Sequence, residues 1–225
     1  DEVIFTSGAT ESNNLVILGL ANTLKASGKS KIITTAIEHK AVLEPCACLG
    51  EQGFEIEYLP VNKTGSIHPD QIKAVLSDEV GLISIMQANN ETGAIQPISE
   101  IANLLEDTDI YFHTDAAQGF GKLIEPLTHS RIDMISISGH KIYGPKGVGA
   151  LITRRREYKR PPLQPLMYGG GQEKGVRAGT LPVPLIAGLG EAAELLNKNN
   201  SNWHKHCQSI KDEAIKAFES IDGCI

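Results

Sequence analysis

The chain has 225 residues, 41% hydrophobic and 21% charged, which is the composition of an ordinary globular protein. At this length it needs no disulfide or structural metal to hold a core, and its four cysteines lack zinc-site spacing. We therefore expect no metal site and a reducing, cytoplasmic compartment. The net charge of −6 and the lack of an apolar stretch of ~20 residues argue against nucleic-acid binding and a membrane span. A local basic run at 154–160 is interpreted as a solvated loop.

Short strand-like runs alternate with helical patterns along the chain. The predicted strands are residues 3–6, 31–35, 55–59, 82–86, 110–114, 134–138 and 149–153. The predicted helices are residues 11–26, 41–52, 69–76 and 98–106, followed by 184–196 and about 203–220 on either side of the polar stretch 197–202. This order predicts a three-layer α/β/α fold with a mostly parallel, mixed sheet of about seven strands.

Ligands of such folds bind at the carboxyl ends of the strands, so the loops there are the candidate sites. The first loop, Ser7-Gly8-Ala9-Thr10, leads directly into a helix. Free backbone N–H groups at a positive helix end favour a phosphate group. A glycine turn followed by an ordinary Ser or Thr N-cap gives the same pattern, and this segment alone does not separate the two.

Two later strand ends carry ionisable side chains. The strand at 134–138 runs into Gly139-His140-Lys141, where a partly desolvated amine can form a Schiff base with an aldehyde. Asp115 and Gln118 follow the strand at 110–114, and a carboxylate beneath a pyridine ring keeps the ring nitrogen protonated. Taken singly, Lys141 also fits a solvated charge and Asp115 a helix N-cap.

Two further loops add an imidazole and an amide. His39 follows the second strand, and Asn90 follows the fourth. A lone histidine is more often structural than functional, so only its place in the whole set suggests a role. Phosphate seat, imidazole, amide, carboxylate and lysine then appear in order at successive strand ends.

These segments resemble those of cysteine desulfurases, which are fold type I, pyridoxal 5′-phosphate (PLP) enzymes of the class V aminotransferase family. The resemblance rests on the runs Ser7-Gly8-Ala9-Thr10-Glu11-Ser12-Asn13, Glu38-His39, Asn89-Asn90-Glu91-Thr92-Gly93, His113-Thr114-Asp115-Ala116-Ala117-Gln118 and Ser138-Gly139-His140-Lys141-Ile142-Tyr143-Gly144-Pro145-Lys146-Gly147. It continues through 169–173 and 177–182, so it covers nearly all of the chain. Lys146 and the Asn-Asn-Glu segment are closer to the NifS/IscS-like group than to the SufS-like group.

The resemblance implies a role for each candidate around the cofactor ring. Lys141 would carry PLP covalently, and Asp115 would pair with its pyridinium nitrogen. Gln118 would donate a hydrogen bond to the ring hydroxyl, and His39 would stack on the ring. Lys141, His39 and Asp115 are the catalytic residues that it implies.

The resemblance also implies contacts beyond the ring. The phosphate would be bound by Ala9, Thr10, Ser138 and His140. Asn90 would lie near the cofactor and the substrate carboxylate. Thr180 would reach the phosphate of a neighbouring subunit, which implies a homodimer.

The implied reaction removes sulfur from L-cysteine, leaving L-alanine and a protein persulfide. The sulfur would pass to acceptor or scaffold proteins for iron–sulfur clusters or other sulfur-containing products. Two alternatives stay open: another class V PLP enzyme such as a selenocysteine lyase, and a PLP-binding chain without catalysis.

The family's persulfide cysteine and its substrate-carboxylate arginine have no counterpart among the matched segments. We interpret the cysteines at 46, 48, 207 and 224 as structural thiols. The expected organisation is a PLP-binding large domain over 1–183, followed by helices at 184–225 that lead to a small domain outside this sequence. On that reading the chain by itself is expected to be inactive.

Overall fold

The computed structural model describes residues 2–223, so Cys224 lies outside the described residues. It contains a seven-stranded sheet in the order β1-β7-β6-β5-β4-β2-β3. The strands are β1 (Glu2–Thr6), β2 (Lys31–Thr35), β3 (Glu55–Leu59), β4 (Val80–Ser84), β5 (Tyr111–Asp115), β6 (Met134–Ser138) and β7 (Gly149–Thr153). β7 pairs antiparallel with both β1 and β6, and the other pairs are parallel. The predicted mostly parallel, mixed sheet is confirmed.

Helices cover both faces of this sheet. They are α1 (Ala9–Ala26), α2 (Lys40–Glu51), α3 (Pro69–Val75), α4 (Ile98–Leu104) and α5 (Val183–Glu219). Successive strand residues face opposite layers: Ile32 packs in the core with α1 and α2, whereas Ile33 packs in the core with α3, α4 and the start of α5. The predicted three-layer α/β/α arrangement is therefore confirmed.

The fourth strand begins earlier than its sequence predicts. β4 spans Val80–Ser84 instead of the predicted 82–86, and it includes Gly81, a residue type that usually weakens a strand. The structure explains this glycine, because a Cβ there would lie 2.7 Å from Leu24 Cδ2 of α1. The ladder with β2 also shifts register between Lys31 and Ile32 at this point.

The prediction of two C-terminal helices separated at 197–202 is wrong, because α5 is one helix of 37 residues. Asparagine and serine lower helix propensity only modestly, and the stretch contains no proline or glycine to end the helix. Local bonds support it: Asn199 Nδ2 donates to Leu195 O at 2.8 Å, and Lys198 pairs with Glu194 at 2.5 Å. Within the described part of the chain, no helix is long and apolar enough to cross a membrane.

The basic run at 154–160 is only partly the solvated loop expected. Arg156 forms an ion pair with the buried carboxylate of Asp133, and Arg154 donates to the carbonyls of Leu127 and His129. A buried carboxylate without such partners would be costly, so these arginines stabilise the fold. They are held by the protein and do not form a free basic surface.

Candidate active site

One cavity of about 450 Å³ opens where β1, β2, β4, β5 and β6 end and β7 begins. Of the predicted site residues, the cavity is lined by Ala9, Thr10, His39, Asn90, Asp115, Gln118, Ser138, His140 and Lys141. Its wall also contains Ser7, Gly8, Asn13, Met86, Ala88, Ala117, Lys146 and Gly147. Segments far apart in sequence therefore meet as the strand-end argument predicted.

The loop before α1 forms one side of the cavity. Gly8 is the N-cap of α1, with φ 152° and no side-chain cap bond, so the Ser or Thr N-cap alternative is wrong. Gly149 of β7 lets this loop come close, since a Cβ there would lie 2.6 Å from Gly8 Cα. The N–H groups of the first turn at Ala9 and Thr10 precede any helical carbonyl that they can bond.

Ser138 faces the same loop from the end of β6. Its Oγ would lie 3.8 Å from a Cβ placed on Gly8, and it is 3.0 Å from Nδ1 of His140. Hydroxyl, imidazole and helix N-terminus thus converge on one side of the cavity. This set of donors suits an anion.

Asp115 ends β5 and is buried. Its Oδ2 accepts a 2.7 Å hydrogen bond from Asn13 Nδ2, and its Oδ1 accepts from the N–H of Ala117 at 2.9 Å. Burial raises the pKa of Asp115, and the hydrogen bonds from Ala117 and Asn13 offset this rise only in part. No helix begins directly after Asp115 in residues 2–223, so the helix N-cap alternative is wrong. Both donors to the carboxylate are neutral, so the site suits a cationic ligand group.

The imidazole of His39 is fixed at the start of α2. It is the N-cap residue, and its Nδ1 accepts a 3.1 Å hydrogen bond from the N–H of Ala41. Because Nδ1 acts as the acceptor, the proton of the neutral ring lies on Nε2. The ring is therefore held in one orientation in the cavity wall.

Lys141 lies in a short 3-10 turn, Gly139–Ile142, directly after β6. Gly144 N–H closes the turn on the carbonyl of Gly139 at 2.9 Å, and a Cβ on Gly139 would lie 2.9 Å from Val148 O. The side chain is half-buried in the cavity wall, which disfavours the solvated-charge alternative. Burial lowers the pKa of Lys122, and the positive charge of Lys141 lowers it further.

The loop after β4 is organised by a residue that sequence reasoning passed over. Asn89 is buried, and its Oδ1 accepts from the N–H groups of Glu91 and Thr92 at 2.9 and 2.8 Å. Its Nδ2 donates to Ile37 O at 2.9 Å and so ties this loop to the one after β2. Asn90, exposed at the cavity wall, is presented by that framework.

Asn13, which lines the cavity, and Glu38, a buried residue next to His39, were not among the predicted site residues. Glu38 is buried, and its Oε1 accepts from Thr35 Oγ1 at 2.8 Å and from the N–H of Met86 at 2.9 Å. Burial raises the pKa of Glu38 to about 8. Asn13 follows Ala9 by one helical turn, and that spacing was the available signal for its position on the cavity side of α1.

Thr180 is the predicted site residue that the structure does not bring to the cavity. It is exposed. The residue before it, Gly179, donates its N–H to Gln172 Oε1 at 3.0 Å. The predicted contact of Thr180 is with another subunit, and that contact stays a prediction.

Comparison with known proteins identifies relatives along the whole chain. The family model described as Aminotransferase class-V matches residues 1–225. The mitochondrial cysteine desulfurase of Saccharomyces cerevisiae is 47% identical over 221 residues, which cover 98% of this chain and 44% of that protein. Cysteine desulfurase IscS of Rickettsia bellii is 46% identical over 219 residues, covering 97% of this chain and 53% of that protein.

Similar solved structures also cover most of the chain. The crystal structure of DndA from Streptomyces lividans is 51% identical with a TM-score of 0.95, covering 98% of this chain and 62% of that one. SspA in complex with cysteine is 48% identical with a TM-score of 0.77, covering 85% of this chain and 55% of that one. The chain thus spans about half the length of the curated relatives that it matches.

Proposed function

The chain belongs to the aminotransferase class-V family, and from that premise we propose that it forms the PLP site of a cysteine desulfurase. The single observation that carries the proposal is the meeting of Lys141, Asp115, His39 and the α1 N-terminus in one cavity. Each faces it from a different strand end. The substrate proposed is L-cysteine, and the products are L-alanine and sulfur transferred as a persulfide.

The residues present fit PLP on both sides of the cavity. At one side, the α1 N-terminus, Ser138 and His140 offer hydrogen-bond donors for a phosphate. At the other, the buried carboxylate of Asp115 has neutral partners only. Asn13 adds a buried acceptor, since its Oδ1 has no hydrogen-bond partner in residues 2–223. A phosphate at one end and a pyridinium N–H at the other match this distribution of charge.

When bound, PLP would supply the electron sink that lets bonds at the substrate Cα and Cβ break. Lys141 Nζ would hold the cofactor and then accept and return a proton near the substrate. Asp115 would keep the ring nitrogen protonated, and Gln118 would donate to the ring hydroxyl. His39 would lie against the ring. Because its Nδ1 accepts the bond from Ala41, its Nε2–H would be available for proton transfer. Asn90 would orient the substrate carboxylate.

The described cysteines do not suit the role of sulfur acceptor. Cys46 is buried, and burial raises the pKa of its thiol to about 12, which leaves almost no thiolate near neutral pH. Cys48 on α2 and Cys207 on α5 are exposed, and neither lines the cavity. We propose that the persulfide forms on none of these three.

The proposal extends to assembly and location. Thr180 is exposed and outside this chain's cavity, which suits a contact with the phosphate of a second copy in a homodimer. Sulfur-acceptor or iron–sulfur scaffold proteins are the proposed partners. Free thiols at the three described cysteines suit a reducing compartment, and we propose the cytoplasm.

A PLP titration of the chain, followed by absorbance, tests the proposed cofactor site. Amino-acid analysis after L-cysteine is added should show no alanine, because none of the described cysteines is the proposed sulfur acceptor. Asp115→Asn should weaken PLP binding by ~1.5–3 kcal/mol, the contribution of a hydrogen bond to a charged group. Asp109→Asn is the matched control, because this exposed carboxylate pairs with Lys29 just before β5 begins. Unchanged PLP affinity in Asp115→Asn would contradict the assignment. Alanine released from selenocysteine but not from cysteine would favour the lyase alternative.

A further inference from the structure

A partly buried ion pair joins the segment around Arg177 to the first turn of α1. Arg177 Nε donates to Glu11 Oε1 at 2.7 Å, and its Nη2 lies 3.3 Å from Glu11 Oε2. Both side chains are 18% exposed, which distinguishes them from ordinary surface pairs. Neither residue lines the cavity, so the proposed function gives them no role.

Glu11 is also bonded to the loop proposed to hold the phosphate. Its Oε2 accepts a 2.7 Å hydrogen bond from the N–H of Ser7. Glu11 is the third residue of α1 and reaches back towards the chain entering the helix, as in a capping box. Arg177, Glu11 and Ser7 therefore form a chain of contacts that ends in the cavity wall.

This arrangement places a carboxylate beside a site built for an anion. Burial raises the pKa of Glu11, but the bonds from Arg177 and Ser7 outweigh burial and leave it below its usual value. Glu11 is thus ionised at neutral pH. An uncompensated charge there would repel a phosphate at the same helix end, since like charges interact strongly where water is partly excluded.

We propose that Arg177 is a positioning residue for phosphate binding: it cancels the charge of Glu11 while Glu11 holds the Ser7–Gly8 loop. This inference rests on the proposed function for its physiological ligand, PLP, but its chemistry concerns any phosphate. If the Arg177–Glu11 pair only held α1 to the Arg177 segment, its loss would weaken the binding of PLP and of pyridoxal equally. The electrostatic role affects only ligands that carry the phosphate.

Dissociation constants for PLP and for pyridoxal, which lacks the phosphate, separate the two roles. Arg177→Gln should weaken PLP binding about tenfold and pyridoxal binding less than about twofold. Glu11→Gln keeps an oxygen for Ser7 N–H but no charge, so Glu11→Gln/Arg177→Gln should restore PLP binding to within about threefold of the parent chain. The defect of Arg177→Gln should shrink between about 0.1 M and about 1 M salt.

Arg160→Gln is the matched control, because it removes the same charge from a pair with Glu2 that is not part of the cavity. It should leave both affinities unchanged. Equal weakening of PLP and pyridoxal in Arg177→Gln, or no rescue by Glu11→Gln, would overturn the inference. If circular dichroism shows that Arg177→Gln does not fold, Glu11→Gln alone decides: it should tighten PLP relative to pyridoxal, and an unchanged ratio is contrary to the inference.

Inorganic phosphate, titrated by calorimetry against the same variants, keeps this test separate from that of the proposed function. Phosphate binding that depends on Arg177, in a chain that does not bind PLP, would uphold the inference and reject the function. PLP binding that is unchanged in Arg177→Gln would support the proposed function and reject the inference. A parent chain that binds neither ligand would reject both.

Discussion

Asn13 Nδ2 and Asp115 Oδ2 are joined by a hydrogen bond of 2.7 Å between the second turn of α1 and the end of β5. The two residues are 102 positions apart in sequence, and both line the cavity. The bond connects the element proposed to hold the phosphate with the carboxylate proposed to hold the ring. It makes the orientation of Asp115 depend on the placement of α1.

Asn13→Ala should therefore weaken PLP binding about threefold to tenfold, the usual effect of losing one buried hydrogen bond. Without this donor the pKa of Asp115 should rise further, because the Asn13 bond lowers it at present. Binding should accordingly weaken more on the acid side of a pH series. Asn14→Ala is the control, since the Asn14 amide donates to Thr10 O on the exposed side of the helix and does not bond to Asp115. Equal affinities for the two variants would contradict the coupling.

Glu38 predicts a pH dependence of stability. Burial raises its folded pKa from 4.5 to about 8, so between these values the folded chain binds more protons than the unfolded chain. The free energy of unfolding should then fall as pH rises through this window. Glu38→Gln copies the protonated form and should remove that fall. Across this pH window, the change in the free energy of unfolding, measured with urea, should differ between Glu38→Gln and the parent chain by more than about 1.4 kcal/mol, the equivalent of one pKa unit.

Glu51→Gln, on the exposed end of α2, should keep the pH dependence of the parent chain. Parallel stability profiles for Glu38→Gln and the parent would show that Glu38 is ionised in the folded state across this range.

The continuity of α5 predicts the effect of a proline. Beyond Leu196 the helix is mostly exposed, and the ring of Trp203 packs against that of Tyr143 with 5.5 Å between the ring centroids. Ser201→Pro should cost ~3 kcal/mol of helix stability and speed hydrogen exchange over residues 203–219. Ser201→Ala should slow it slightly. Exchange unaffected by the proline would instead support two separate helices.

The sequence predicts the layers and most of the site because both depend on local pattern. An apolar run such as 134–138 predicts a buried strand, and the structure has β6 there. The site residues follow the carboxyl ends of strands, which meet at one edge of a parallel sheet. The bonds between Arg177 and Glu11, 166 positions apart, follow no local rule. The burial of Glu38 and the clash that requires Gly81 likewise arise from packing, which periodicity does not encode.

The central claim is that Lys141 is the residue that carries the cofactor, and borohydride reduction of the PLP-loaded chain followed by peptide mass mapping tests it most directly. Lys146 lines the same cavity five positions later and provides the internal control. We expect the reduced cofactor on Lys141, its absence from Lys141→Arg, and normal loading of Lys146→Arg. Cofactor fixed to Lys146 or another lysine in the parent chain, with Lys141 unmodified, would contradict the claim.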